Sequence, residues 1–260
     1  MSTDLVAAFW QLPPISRTLS FSAAIVSILT YTGILPFQWL YFESYFILQI
    51  PPQIWRFFTA FLITGPGFSM IMDPYFVYQY ASMLETANPK FPRTEDFLWY
   101  LTFVCTIIVL VSYSLFGSSL FLNGLVLALC YTATQDQRGQ KASFFFFTVP
   151  AQLVPYCMLF FSLIMSPGAL PLQLTGLFAA HLHDFLTRLW PEFGGGNNWI
   201  ATPAFMSRLV NSPRVVQRDY GTAIHGNRTP AGRTTGASTG SGPLPDSWKT
   251  RGSGYRLGGE

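Results

Sequence analysis

Charge is what this sequence has least of. Asp, Glu, Lys and Arg make up only 10% of its 260 residues, against roughly 25% in a soluble globular chain. That is too few to coat a water-facing surface, and it excludes an ordinary cytosolic domain. Cysteine is scarce as well: Cys105, Cys130 and Cys157 all lie inside apolar runs, where a free thiol behaves as a small hydrophobe, so no disulfide framework is implied. No cluster of Cys, His and carboxylates has metal-ligand spacing, because His181 and His183, two residues apart, diverge on a helix. No Gly-rich loop follows a strand to cradle a nucleotide, and no cofactor is expected. The nine Lys and Arg from Arg188 onward are dispersed, which argues against a nucleic-acid patch. The first eighteen residues, with Asp4, Pro13, Pro14 and Arg17, lack the charged start and small-residue exit of a cleaved signal.

What the chain has in quantity is apolar surface. Half of it is hydrophobic and 17% is aromatic, gathered into runs longer than a soluble core helix uses. The class is an all-α polytopic membrane protein. Six spans are predicted: about Leu19 to Leu35, Phe68 to Leu84, Phe97 to Phe116, Leu120 to Ala133, Phe144 to Met165, and Leu170 to Leu186. Between the first two, Pro36 to Gly67 is rich in Phe, Trp and Tyr yet broken by Pro51, Pro52 and Gly65-Pro66-Gly67. Such a stretch cannot cross lipid with its backbone groups unpaired, and its aromatics suit the headgroup boundary. It is expected to be an interfacial loop with short helical turns.

After Pro191 the composition turns to Gly, Ser, Thr, Pro and Arg, with too few apolar side chains to offset chain ordering. Residues 1–208 are therefore expected to form the membrane domain and 209–260 a disordered tail. Lys and Arg resist translocation, so their distribution sets orientation. With six spans, every basic residue but Arg56 falls on the face that carries both termini, a split of 14 to 1 among 15. Both termini are expected in the cytosol, and the sequon Asn227-Arg228-Thr229 is expected never to be glycosylated. Several spans are short: Leu120 to Ala133 gives about 21 Å of helix against a hydrocarbon core of about 30 Å, so lipid must thin around it.

Four constellations have two readings each. Trp55-Arg56 closes the interfacial loop; it is either a plain Trp/Arg interfacial anchor or a pin for the loop, with Arg56 paired to carbonyls, a carboxylate such as Glu43, or phosphate headgroups. Gly176-x-x-x-Ala180 in the sixth span permits close approach of a neighbouring helix, either as plain packing or as a contact with a particular role. Gly117-Ser118-Ser119 and His181 could supply the Ser and His of an intramembrane serine protease, but the second span has no His or Asn to stabilise an oxyanion, and a Ser at a helix start is a routine cap. The terminus Gly252-Ser253-Gly254-Tyr255-Arg256-Leu257-Gly258 is either a low-complexity linker or a strand-adding peptide whose Tyr255 and Leu257 fill pockets. A transporter would need a midplane polar site on broken helices, for which Asp73-Pro74 is the single hint.

Taken in order, several short motifs together resemble the derlin family, the rhomboid-like pseudoproteases of the endoplasmic reticulum. They are Leu12-Pro13-Pro14-Ile15-Ser16-Arg17, Trp55-Arg56, Gly65-Pro66-Gly67, Tyr78-Gln79-Tyr80 with Leu84-Glu85, and Gly194-Gly195-Gly196 to Thr202-Pro203-Ala204-Phe205. The resemblance implies a rhomboid-like six-helix bundle without catalysis, acting in retrotranslocation of misfolded lumenal and membrane proteins to the cytosol. The terminal sequence looks like the SHP box with which some derlins hold a hexameric AAA ATPase; Gly252, Gly254, Tyr255, Arg256, Leu257 and Gly258 would bind it. The implied partners are that ATPase, a membrane ubiquitin ligase complex, misfolded clients and membrane lipids. Two departures stand out: Ala180 replaces the second Gly of the family's Gly-x-x-x-Gly, and Trp248 lies four residues ahead of Gly252.

Overall fold

The computed structural model describes residues 7, 9–86, 88–137, 139–144, 147–194, 200–210, 216, 217, 222 and 223. Among them, six helices have twelve residues or more: α1 (Pro14–Tyr31), α2 (Ser69–Thr86), α3 (Thr94–Phe116), α4 (Leu122–Gln135), α5 (Val154–Met165) and α6 (Leu170–Asp184). They fall within five residues of the apolar runs read from the sequence, except at the fifth. There, Phe144 and the stretch from Phe147 to Leu153 are not α-helix. Strand β1 (Lys141–Phe144) pairs antiparallel with β2 (Phe147–Pro150), and a 3-10 turn at Ala151–Leu153 leads into α5. The local chemistry favours this: a run of aromatic and β-branched residues prefers a pleated surface, and Pro150 cannot donate to a continuing helix.

The helix ends show why these segments start and stop where they do. α1 opens on Pro13-Pro14, and Pro at the first helical turn costs no hydrogen bond. Its first N–H groups are held by Glu85 at the far end of α2: Ile15 N donates to Oε1 at 3.1 Å, Ser16 N to Oε2 at 2.8 Å, and Ser16 Oγ to Oε2 at 2.5 Å. α3 carries Glu95 and Asp96 in its first turn, where they complement the helix dipole. It ends at Gly117, with φ 61° and Ser118 N bonded back to Ser112 O at 3.3 Å, a left-handed cap that a side chain would strain.

α4 is the axis of the bundle. Gly124 through Thr134 is buried without interruption, and a helix covered on every side is a core helix. α1 packs on α2, and its small residues Ser16, Ala23 and Ser27 are fully buried, Ser27 Oγ donating to Leu62 O and accepting from Thr64 N in the loop before α2. Large apolar side chains face outward instead: Phe21, Ile25 and Ile28 on α1, Ile71 on α2, Leu110 on α3, Phe160 and Ile164 on α5, and Phe178 on α6 are exposed. Polar side chains collect inside, among them Ser112, Thr132, Thr175 and Gln173. Among the described residues, α3 alone is long and apolar enough to cross a membrane by itself.

The chain divides into two units, Met1–Pro213 and Arg214–Glu260. In the second, Val216–Gln217 pairs antiparallel with Thr222–Ala223.

Candidate functional site

The aromatic loop between α1 and α2 is organised by one cation. Arg56 is only 3% exposed, so its charge must be met internally or cost several kcal/mol. Its Nε donates to Gln53 Oε1 at 2.6 Å, and Nη1 donates to the carbonyls of Gln38 and Tyr41, each at 2.8 Å. The guanidinium lies 4.1 Å from the centroid of Phe46 and 5.3 Å from that of Tyr41, a stacked geometry that Lys cannot reproduce. Glu43 is not among these partners. Trp55, by contrast, points outward and is 48% exposed. The pair read as one unit in the sequence is therefore split between an internal hub and an external ring.

The loop is then sewn to the start of α4. Phe42 N donates to Ser119 O at 2.9 Å, and Phe121 N donates to Ala60 O at 3.0 Å. Ser44 and Tyr113 hydroxyls lie 2.8 Å apart. Phe42 packs edge-on against both Tyr113 and Phe121.

Gly176 meets a partner that the sequence pattern does not show. A Cβ added at Gly176 would fall on the carbonyl of Gly124 in α4, and one added at Gly124 would come to 2.9 Å from the Leu172 carbonyl oxygen. α4 and α6 thus cross backbone to backbone. Ala180 is 1% exposed and lies one turn further along the same helix. Beside the crossing, the Ser112 and Thr175 hydroxyls are 2.6 Å apart.

Ser119 and His181 are not brought together. Ser119 precedes α4, whereas His181 Nδ1 sits 3.0 Å from the hydroxyl of Tyr131, about 14 Å of helix beyond Leu122 at 1.5 Å per residue. His183 turns the other way, edge-on to Tyr100 at 4.9 Å and to Phe103 at 5.4 Å. At that same end Lys90 pairs with Asp136 at 3.0 Å and Asp184 at 2.9 Å. Among the described residues no three His, Cys, Asp or Glu side chains are placed to hold a metal.

At the opposite end, next to Gly65 to Gly67, a cavity of about 220 Å³ opens between α2, α4, α5 and α6. Asp73, Asn123, Ser162 and Gln173 line it, with no Lys, Arg or His among the described residues. Gln173 Nε2 donates to Ser162 Oγ at 2.6 Å, but its Oε1 is buried with no partner among the described residues. In sequence Asp73-Pro74 stands as an isolated feature, and Asn123, Gln173 and Gly124 carry no local signal of the cavity or the crossing. The predicted ATPase-binding residues Gly252, Gly254, Tyr255, Arg256, Leu257 and Gly258 lie outside the described residues.

Fold and sites together define a mostly helical body that turns apolar side chains outward, collects polar ones within, and closes one end with a loop built around a buried arginine. The chain belongs to the Der1-like family, whose model matches residues 12–204. It is similar to Derlin-1 of Mus musculus, 30% identical over 98% of this chain and 99% of the mouse protein. Derlin-1 of Homo sapiens is 29% identical over the same shares. Derlin-1 of Arabidopsis thaliana is 29% identical over 79% of this chain and 77% of its own.

Proposed function

We propose that this chain is a multi-pass protein of the endoplasmic reticulum membrane, with both termini in the cytosol, that serves the degradation of misfolded proteins by assisting their retrotranslocation. The observation that carries this reading, in a Der1-like chain, is the reversal of polarity: exposed Phe, Ile and Leu ring a body whose interior holds Ser, Thr, Gln and a buried Arg. An apolar exterior of this extent suits lipid, and polar groups inside a lipid-embedded bundle face one another or a water-filled space.

Helix length supplies the mechanism. α4 has 14 residues and α5 has 12, about 21 and 18 Å at the helical rise, against a hydrocarbon core of about 30 Å. Lipid beside them must thin, and less hydrocarbon then opposes a polar chain in transit. The Arg56 hub holds the lumenal loop over the bundle, Trp55 anchors it at the interface, and Gly176 with Ala180 sets the seat of α6 against α4. The C-terminal Gly252 to Gly258 segment recruits an AAA extraction ATPase by strand addition, and a membrane ubiquitin ligase marks the clients. The chain performs no peptide-bond chemistry; the distance between Ser119 and His181 supports that.

The test is client turnover in cells lacking the chain. Half-lives of a misfolded lumenal and a misfolded membrane reporter should lengthen on its loss and recover with the intact protein, but not with Arg56→Ala. Deleting the last twelve residues should abolish co-purification of the ATPase. Reporter half-lives indifferent to the chain would refute the reading.

A further inference from the structure

The cavity near the lumenal end is lined by polar groups that include under-used acceptors. Asp73 receives one long contact, from Gly65 N at 3.4 Å, and has no cationic partner among the described residues. Gln173 is 7% exposed and leaves its Oε1 unmatched, which costs about 1–3 kcal/mol in a buried setting. Asn123 adds a third polar side chain, an amide, to the same lining. The rim is different: Phe68 and Met165 line the mouth and are both exposed. An apolar mouth leading to a carboxyl, an unmatched amide oxygen and a second amide suits a cationic nitrogen on a long apolar stem. A Lys ammonium brings three donors and no acceptor, and an Arg guanidinium brings five. Either stem can lie along Phe68 and Met165 while the charge sits within.

We infer that this cavity captures the lysine or arginine of an otherwise apolar client segment, at the lumenal end of that segment. The inference rests on the retrotranslocation reading and narrows it: membrane proteins left with an unpaired basic residue in a span are the favoured clients. Such a residue is expensive in hydrocarbon and marks a segment that lacks its proper partner. Asp73 is the selecting group, with Gln173 and Asn123 as supporting amides.

The experiment uses the full-length protein in phosphatidylcholine vesicles, with a photo-cross-linker in place of Met72, which lines the cavity. Single-span peptides identical except for Lys, Arg, norleucine or Glu at one lumenal-end position are offered in turn. Lys and Arg peptides should cross-link about tenfold more than norleucine, a difference of about 1.4 kcal/mol, and Glu least of all. Asp73→Asn should bring Lys down to within about twofold of norleucine, and Asp73→Glu should retain the preference. Equal cross-linking across the peptide series on the unsubstituted protein overturns the inference, whatever the Asn variant does. So does a lipid in place of the peptide: cross-links to phosphatidylethanolamine, when it is added, that are indifferent to the peptide's lysine. Lysine-dependent capture with reporter half-lives unaffected by the chain would leave the site standing and remove the degradation role; the reverse pattern would do the opposite.

Discussion

Arg56 holds three acceptors from three stretches of backbone and side chain, so its removal acts on the whole loop. Arg56→Ala leaves Gln38 O, Tyr41 O and Gln53 Oε1 without their donor. The expected loss is about 3 kcal/mol, since deleting a buried charge strands its partners. Limited proteolysis should then cut within residues 36–54 at least tenfold faster. Arg56→Lys should recover less than half of the protection, because an ammonium cannot serve the forked geometry and the Phe46 face together. Trp55→Ala should leave protease resistance unchanged, its ring being outward. Sequence alone offers Trp55-Arg56 as one motif, because adjacency is visible there and direction is not. The sequence leaves Arg56 three kinds of partner, carbonyls, a carboxylate such as Glu43, or phosphate headgroups; the loop's path selects the Gln38 and Tyr41 carbonyls and the Gln53 amide oxygen.

At the scale of elements, the contacts that decide stability join helices distant in sequence. Gly176→Ala gains about 1 kcal/mol of helix propensity, but its methyl would fall on the Gly124 carbonyl, and such overpacking costs about 3 kcal/mol. The clash wins, and the melting temperature in detergent should fall. Ala180→Gly should cost about 2 kcal/mol, about half from helix propensity and half from the lost buried methyl. Glu85→Gln weakens the cap on α1 by turning a carboxylate acceptor into an amide; the expected loss is about 1 kcal/mol, read as faster hydrogen exchange at Ile15 and Ser16. The positions of the longer helices among the described residues were legible because apolar runs announce them. The crossing was half legible, since Gly176-x-x-x-Ala180 shows a close approach but not what approaches. Pro13 to Arg17 and Leu84-Glu85 were visible as separate motifs, and the structure joins them through one carboxylate. The fifth segment misled for a physical reason: four Phe in a row are as apolar as any span, and hydropathy does not distinguish a strand from a helix.

For the whole molecule, orientation and thickness are the quantities at stake. The sequon at Asn227 should remain unmodified in cells, read as no mobility shift on glycosidase treatment, while a sequon engineered into residues 49–54 of the loop should be glycosylated. In lipid nanodiscs, the hydrocarbon beside α4 and α5 should measure below about 25 Å against about 30 Å in the surrounding bilayer; full thickness there would remove the thinning mechanism. Both expectations come from the sequence, because charge counts and run lengths average over many residues, and these two measurements decide them. The cavity was not legible there, because Asp73, Asn123, Ser162 and Gln173 belong to four helices whose arrangement no local pattern encodes.

The meeting of Gly124 and Gly176 has a consequence for how this chain can change over generations. The contact is main chain against main chain, so neither position has a side chain to trim when the other grows. A bulkier residue at one site finds no rescuing substitution at its partner. Each glycine is thus answerable alone, and among lineages the two codons should be held independently, with no trace of paired exchange between them.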